Sequence, residues 1–122
     1  MPEFVWNEYE FIECLGVLPE VSEYDDSRTF KVERDGLRLE LSVSQYDGDI
    51  FLNIFREGVE PHVFFMRLTG CGGARYVRDK GGDFIEFAPA KSFGSRYDGR
   101  TPAPFGFRVS VNPHITIEPF SE

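Results

Sequence analysis

Two Asp-Gly dipeptides, Asp35-Gly36 and Asp47-Gly48, constrain what this chain can fold into more than any other feature. Asp-Gly between alternating apolar residues is the strongest short-range hairpin signal, because both residues tolerate the positive φ that a turn matched to strand twist requires. A two-residue turn at 35–36 pairs Arg34 with Leu37, Glu33 with Arg38, Val32 with Leu39, Lys31 with Glu40 and Phe30 with Leu41. One face then receives Phe30, Val32, Leu39 and Leu41. The other receives two opposite-charge pairs, each contributing roughly 0.2–1 kcal/mol. A slip of one residue would set apolar side chains against charges on both faces, so the register is determined.

The same reading at 47–48 pairs Tyr46 with Asp49, Gln45 with Ile50, Val43 with Leu52 and Leu41 with Ile54, keeping one inward parity. Strands at 28–34, 37–45 and 49–56 therefore form a meander with a single core face. Its outer face carries Ser42, Ser44, Phe51, Asn53 and Phe55. Phe51 and Phe55 must be covered by another layer or offered to a partner. Covering is the more usual outcome, because contiguous exposed apolar patches are uncommon on monomers.

Ahead of the meander, Asn7 and Glu10 have capping-box spacing, apolar residues recur from Trp6 to Leu15, and Gly16 with Pro19 supplies a stop. A short helix at about 8–15 follows. Behind it, further hairpins are expected over 62–88: a strand from Val63 to Leu68, then 74–78 and 83–88 around Asp79-Lys80-Gly81-Gly82 with Arg78 facing Asp83 and Arg75 facing Glu86. Residues 89–104 show no period and exceed ordinary connections in length. Strands resume over 105–118, broken by Asn112-Pro113. The expectation is one mainly β domain, an antiparallel meander of about six to eight strands, barrel-like or a two-layer sandwich, with one short N-terminal helix. The 13 phenylalanines and 5 tyrosines among 122 residues agree with it, since aromatics suit a pleated, half-buried surface.

Charge and cysteine usage exclude several classes. The net charge is −8, with 15 acids and 5 bases in residues 1–61 (−10) and 6 acids and 8 bases in residues 62–122 (+2). Such a chain repels nucleic-acid backbone and anionic membrane and attracts basic partners. No apolar run approaches the ~20 residues that span a bilayer, and the acidic N-terminus lacks a signal peptide's pattern, so a cytoplasmic location is expected. Cys14 and Cys71 stand far apart and read as buried thiols.

No catalytic or metal-binding pattern emerges. His62 and His114 each follow a proline, and Gly-x-Ser-x-Gly is absent. The glycine pairs fit neither phosphate-binding fingerprint. Neither a cofactor nor a metal is expected: the histidines and cysteines lack zinc spacing, and Glu20, Glu23, Asp25 and Asp26 lack the EF-hand pattern. That acidic cluster reads as a solvated link, but it is also a natural contact for cations.

The leading functional expectation is a non-enzymatic module that binds a basic protein partner, as an inhibitor or immunity protein does for a cationic toxin. Glu20, Glu23, Asp25 and Asp26 would steer the partner and Phe51 and Phe55 would anchor it. A second reading is a small-ligand β-domain, or weak enzyme, using Arg96, Tyr97, Asp98 and Arg100 of the long loop. A third is a homodimeric assembly domain that pairs through its outer sheet face.

Overall fold

In the computed structural model, residues 4–80, 82–90 and 97–121 are described. The chain begins with α1 (Glu8–Leu15). Then come β1 (Glu20–Val21), β2 (Arg28–Arg34), β3 (Leu37–Ser44), β4 (Asp49–Arg56) and β5 (Val59–Leu68). Last are β6 (Gly73–Asp79), β7 (Gly82–Ala88), β8 (Phe105–Ser110) and β9 (Thr116–Ser121). The nine strands make two antiparallel meanders, one ordered β1-β2-β3-β4-β5 and the other β6-β7-β8-β9. The two-layer reading thus holds. The additional strand is β1, two residues of the acidic link that pair Glu20 with Thr29 and Val21 with Arg28.

The β2–β3 ladder follows the expected register from Arg34↔Leu37 through Phe30↔Leu41. The β3–β4 ladder is displaced by two residues, with Ser44↔Asp49, Val43↔Ile50 and Leu41↔Leu52. The cause is the turn. Four residues, 45–48, reverse the chain, and the Asp47 and Gly48 amides both donate to the Ser44 carbonyl, at 3.2 and 2.8 Å. Gly48 takes the left-handed conformation (φ 73°), and a Cβ there would stand 2.4 Å from the Cys71 carbonyl oxygen. A shift of two leaves every side chain on its face, so the inward set survives.

Phe30, Val32, Leu39, Leu41, Val43, Ile50 and Leu52 form one wall of the core. Ala74, Ile85, Phe87, Phe107 and Val109 form the other. Helix α1 closes the gap between them. Asn7 Oδ1 accepts from the Tyr9 amide at 2.9 Å, and Gly16 ends the helix at φ 76° with its amide bonded to Ile12 O. The capping box is half made: Glu10 reaches away to accept from the Tyr76 amide at 3.3 Å. Phe11 is fully buried, 5.6 Å from the Phe30 ring in one sheet and 5.8 Å from Phe87 in the other. Its burial contributes roughly 1.5–3 kcal/mol.

The outer faces of the two sheets are treated differently. Across sheet β6–β9 runs a row of alternating charge, Arg75↔Glu86↔Arg108↔Glu118, one residue per strand. The contacts are 3.0, 3.5 and 3.2 Å in turn. The chain after Tyr97 folds over this row. The Ala103 amide donates to Glu86 Oε1 at 3.0 Å, and Tyr97, Ala88 and Ala103 form a second buried cluster. Glu86 is consequently 2% exposed although it lies outside the main core. The outer face of β2–β5 is capped instead by its own arginines.

Candidate protein-interaction surface

Strand parity builds this surface. With Leu39, Leu41, Ile50, Leu52 and Ile54 inward, the outer face presents Lys31 and Glu33 from β2, and Arg38, Glu40 and Ser42 from β3. From β4 come Asp49, Phe51, Asn53 and Phe55, and the β4–β5 pairs Phe51↔Arg67 and Asn53↔Phe65 add Arg67 and Phe65 from β5. Phe51 and Phe55 do point outward, as expected, and both are half-buried. A guanidinium lies over each: Arg67 stands 5.2 Å from the Phe51 centroid and Arg38 stands 4.6 Å from that of Phe55. Covering by a second layer is replaced by cation–π capping, a contact that keeps the rings partly accessible.

Beside these capped rings the surface is more open. The β4–β5 ladder shifts register between Ile54 and Arg56, a bulge that re-aims side chains. Here the His62 ring packs 6.2 Å from Phe55 and 5.5 Å from Phe65. Val63 and Phe65 are each 49% exposed, and Phe64, on the inward parity opposite Ile54, is 38% exposed. Sequence reasoning missed this trio. The signal was there: three consecutive apolar residues in a strand place at least one on each face, whatever the register.

At one end of the same sheet the acidic residues gather on two neighbouring turns. Gln45 Nε2 donates to the Asp25 carbonyl at 3.0 Å, tying the 45–48 turn to the 22–27 turn. Of the four acids singled out, Glu20 pairs with Lys31 at 2.8 Å and Asp25 with Arg28 at 2.7 Å. Asp26 accepts from Ser22 Oγ at 2.6 Å, and Glu23 is exposed. Tyr24 (82% exposed) and Tyr46 (54%) stand on these turns, two aromatics that the sequence reading passed over.

The long-loop residues are placed differently from one another. Arg96 lies outside the described residues. Tyr97 is buried, and burial pushes its phenol up to about 12. Asp98 accepts from Thr101 Oγ1, Thr101 N and Arg100 N at 2.6–2.8 Å, and these bonds hold its carboxyl down at about 2. Arg100 is exposed. His114 pairs with Asp35 at 3.1 Å, away from the long loop's residues. A cleft of about 640 Å³ lies at the opposite end of sheet β1–β5 from the acidic turns, between the 35–36 and 57–58 turns. It is lined by Leu37, Phe55 and Val59 with charges of both signs. Among the described residues no group of three His, Cys, Asp or Glu could hold a metal ion, and no helix is long and apolar enough to cross a membrane.

The two meanders with a helix between them define a mainly β class of small domain, and a solved structure shares it. The chain is similar to a chain of the "Contact-dependent growth inhibition toxin - immunity protein complex from Klebsiella pneumoniae 342", with TM-score 0.76 and 17% identity over 98% of both chains. No protein-family model matches the chain, and no curated protein sequence does.

Proposed function

We propose that this chain is a non-enzymatic protein-binding domain of the immunity type, acting in the cytoplasm to capture and neutralise a toxin with a basic surface. The observation that carries the reading is the end-to-end likeness to a chain from a toxin–immunity complex, with 98% of each chain covered. The −10 half of the sequence makes up the helix and most of sheet β1–β5, so the charge that favours a basic partner is concentrated on one side of the fold. Glu23, Tyr24, Asp25, Asp26 and Tyr46 on the two tied turns are the proposed first contact. Acids there speed encounter, and tyrosines supply contact area at low entropic cost. Phe51 and Phe55 extend the contact along the outer face.

The test is capture of partners from the native lysate on the tagged chain at low and high salt. The expected catch is a basic protein that is held at low salt and weakened at high salt. Expressed alone it should arrest growth, and co-expression of this chain should restore it. A catch that contains no basic protein at either salt, or only one that is harmless, overturns the reading.

A further inference from the structure

Sheet edges are templates for pairing with another chain, and proteins normally blunt them. At three of the four edges here such a device covers the strand, whereas at the fourth Pro61 and the bulge blunt only its first residues. Strand β1 is two residues long. At β6 the N-terminal segment docks, Val5 bridging to Gly73 with bonds to Gly72 O and from Ala74 N at 2.9 and 3.0 Å. Strand β9 contains Pro119 and Glu118. The fourth edge, β5, is the longest strand at ten residues, and among the described residues no strand pairs with its outer side. Pro61 sits near its start, but from His62 to Leu68 the only formal charge is Arg67, and Val63, Phe64 and Phe65 are all exposed.

Charge indicates which chain pairs there. A protein of net charge −8 repels its own copy, most strongly through acidic surfaces. The outer face of sheet β1–β5 is the exception: Lys31, Arg38 and Arg67 stand against Glu20, Glu33, Glu40 and Asp49, a net charge of only −1. A basic toxin gains little electrostatically from this face, and a second copy meets little repulsion there.

We infer that two copies of this chain pair antiparallel through β5, joining their five-stranded sheets into one of ten strands about a two-fold axis at Phe64. Centring the axis there sets Phe64 opposite its own copy, Val63 opposite Phe65 and His62 opposite Met66. Pro61 then faces Arg67 and Glu60 faces Leu68. Every exposed apolar residue from 63 to 65 gains an apolar partner, and no like charges stand opposed. The contact is isologous, so it closes at two copies.

The experiment is a concentration series of molar mass in solution on the full chain, with two sets of variants. The wild type should have twice the single-chain mass. Val63→Lys/Phe65→Lys puts ammonium opposite ammonium at two places and should raise the dimer dissociation constant at least about tenfold. Under mild oxidation Phe64→Cys should cross-link to itself, since opposed Cα atoms in an antiparallel pair lie about 4.5–5.5 Å apart, within disulfide range. Cys14 and Cys71 are buried and leave little background. Tyr24→Cys, at the acidic end, should stay single. Where Phe64→Cys fails to fold, Val63→Cys/Phe65→Cys reports the same register from the outer face. A monomeric wild type up to about millimolar concentration overturns the inference. Loss of the captured partner, rather than of the dimer, in Val63→Lys/Phe65→Lys also overturns it. Neither result touches the immunity reading, which is scored on capture and growth.

Discussion

Glu86 is a carboxylate at 2% exposure whose removal should cost more stability than that of any other charge among the described residues. It accepts from Arg75 at 3.0 Å and from the Ala103 amide at 3.0 Å, and Arg108 lies 3.5 Å away. Breaking a buried pair by removing one partner typically costs about 3–5 kcal/mol. Two observations put Glu86→Ala at the lower end. The Arg75 and Arg108 side chains are 20% and 29% exposed, so each guanidinium regains some water, and Arg108 keeps Glu118 at 3.2 Å. The expected loss is about 3 kcal/mol in urea unfolding with an unchanged m-value, or roughly 12 °C in Tm for a domain of this size. Glu86→Gln retains an acceptor for Ala103 and should lose about half as much. A cycle with Arg75→Met should show coupling of about 1–3 kcal/mol. A loss for Glu86→Ala below about 1 kcal/mol would mean the row behaves as an exposed ion-pair chain, and the account of a loop sealed over charge would be wrong.

Other expectations follow from the same geometry. Gly48→Ala places a methyl 2.4 Å from a backbone oxygen at φ 73°, whereas Gly58→Ala at φ 82° meets nothing within 4 Å. Urea unfolding should show about 1–2 kcal/mol lost at Gly58 and at least twice that at Gly48. Asp98, with its carboxyl lowered from 3.8 to about 2, contributes stability that is complete above the ordinary value and lost as pH falls through the folded one. Unfolding measured across that acid window should therefore fall less steeply for Asp98→Asn than for wild type, and parallel curves would refute the assignment. Burial pushes both thiols, Cys14 and Cys71, up to about 12. Ellman's reagent should find no reactive thiol in the native chain near neutral pH and two in urea, whereas rapid native labelling would contradict their burial.

What could be read from the sequence depended on how much each turn revealed. At 35–36 the flanking charges and aliphatics alternate up to the turn, so one register satisfies both faces and the structure adopts it. At 47–48 the residues before the turn, Ser44, Gln45 and Tyr46, are indifferent to face, so nothing local separates a two-residue from a four-residue reversal. The backbone bonds to Ser44 O decide for the longer one. Parity survives that error, which is why Phe51 and Phe55 were legible as outward and their arginine caps were not. Strand β5 was underestimated for a different reason. Its first residues pair across a bulge, with Arg56↔Val59 out of step with Ile54↔Phe64, and no alternation crosses that junction. The cover over Glu86 was illegible because it comes from a stretch without period, positioned by Asp98's turn and one amide bond from Ala103.

The two proposed contacts make opposite demands, and their centres lie apart, one on the acidic turns and the other on β5, although Phe55 and Phe65 both touch His62 on the outer face. Strand β4 runs from the acidic turns at Asp49 to the cleft at Arg56, and β5 returns along it. Antiparallel pairing of β5 with its copy therefore sets the cleft end of one chain beside the acidic end of the other. In the proposed pair the two acidic ends lie at opposite extremes of the ten-stranded sheet, each accessible to a separate copy of the proposed partner. Capture through acids on exposed turns is long-ranged and screened by salt over about 10 Å. Pairing through Val63, Phe64 and Phe65 along the β5 edge, where Arg67 is the only formal charge from His62 to Leu68, is short-ranged and indifferent to salt, apart from the general repulsion of two −8 chains, which salt relieves. Raising ionic strength should thus release the partner while tightening the pair, a divergence that no single shared surface would produce.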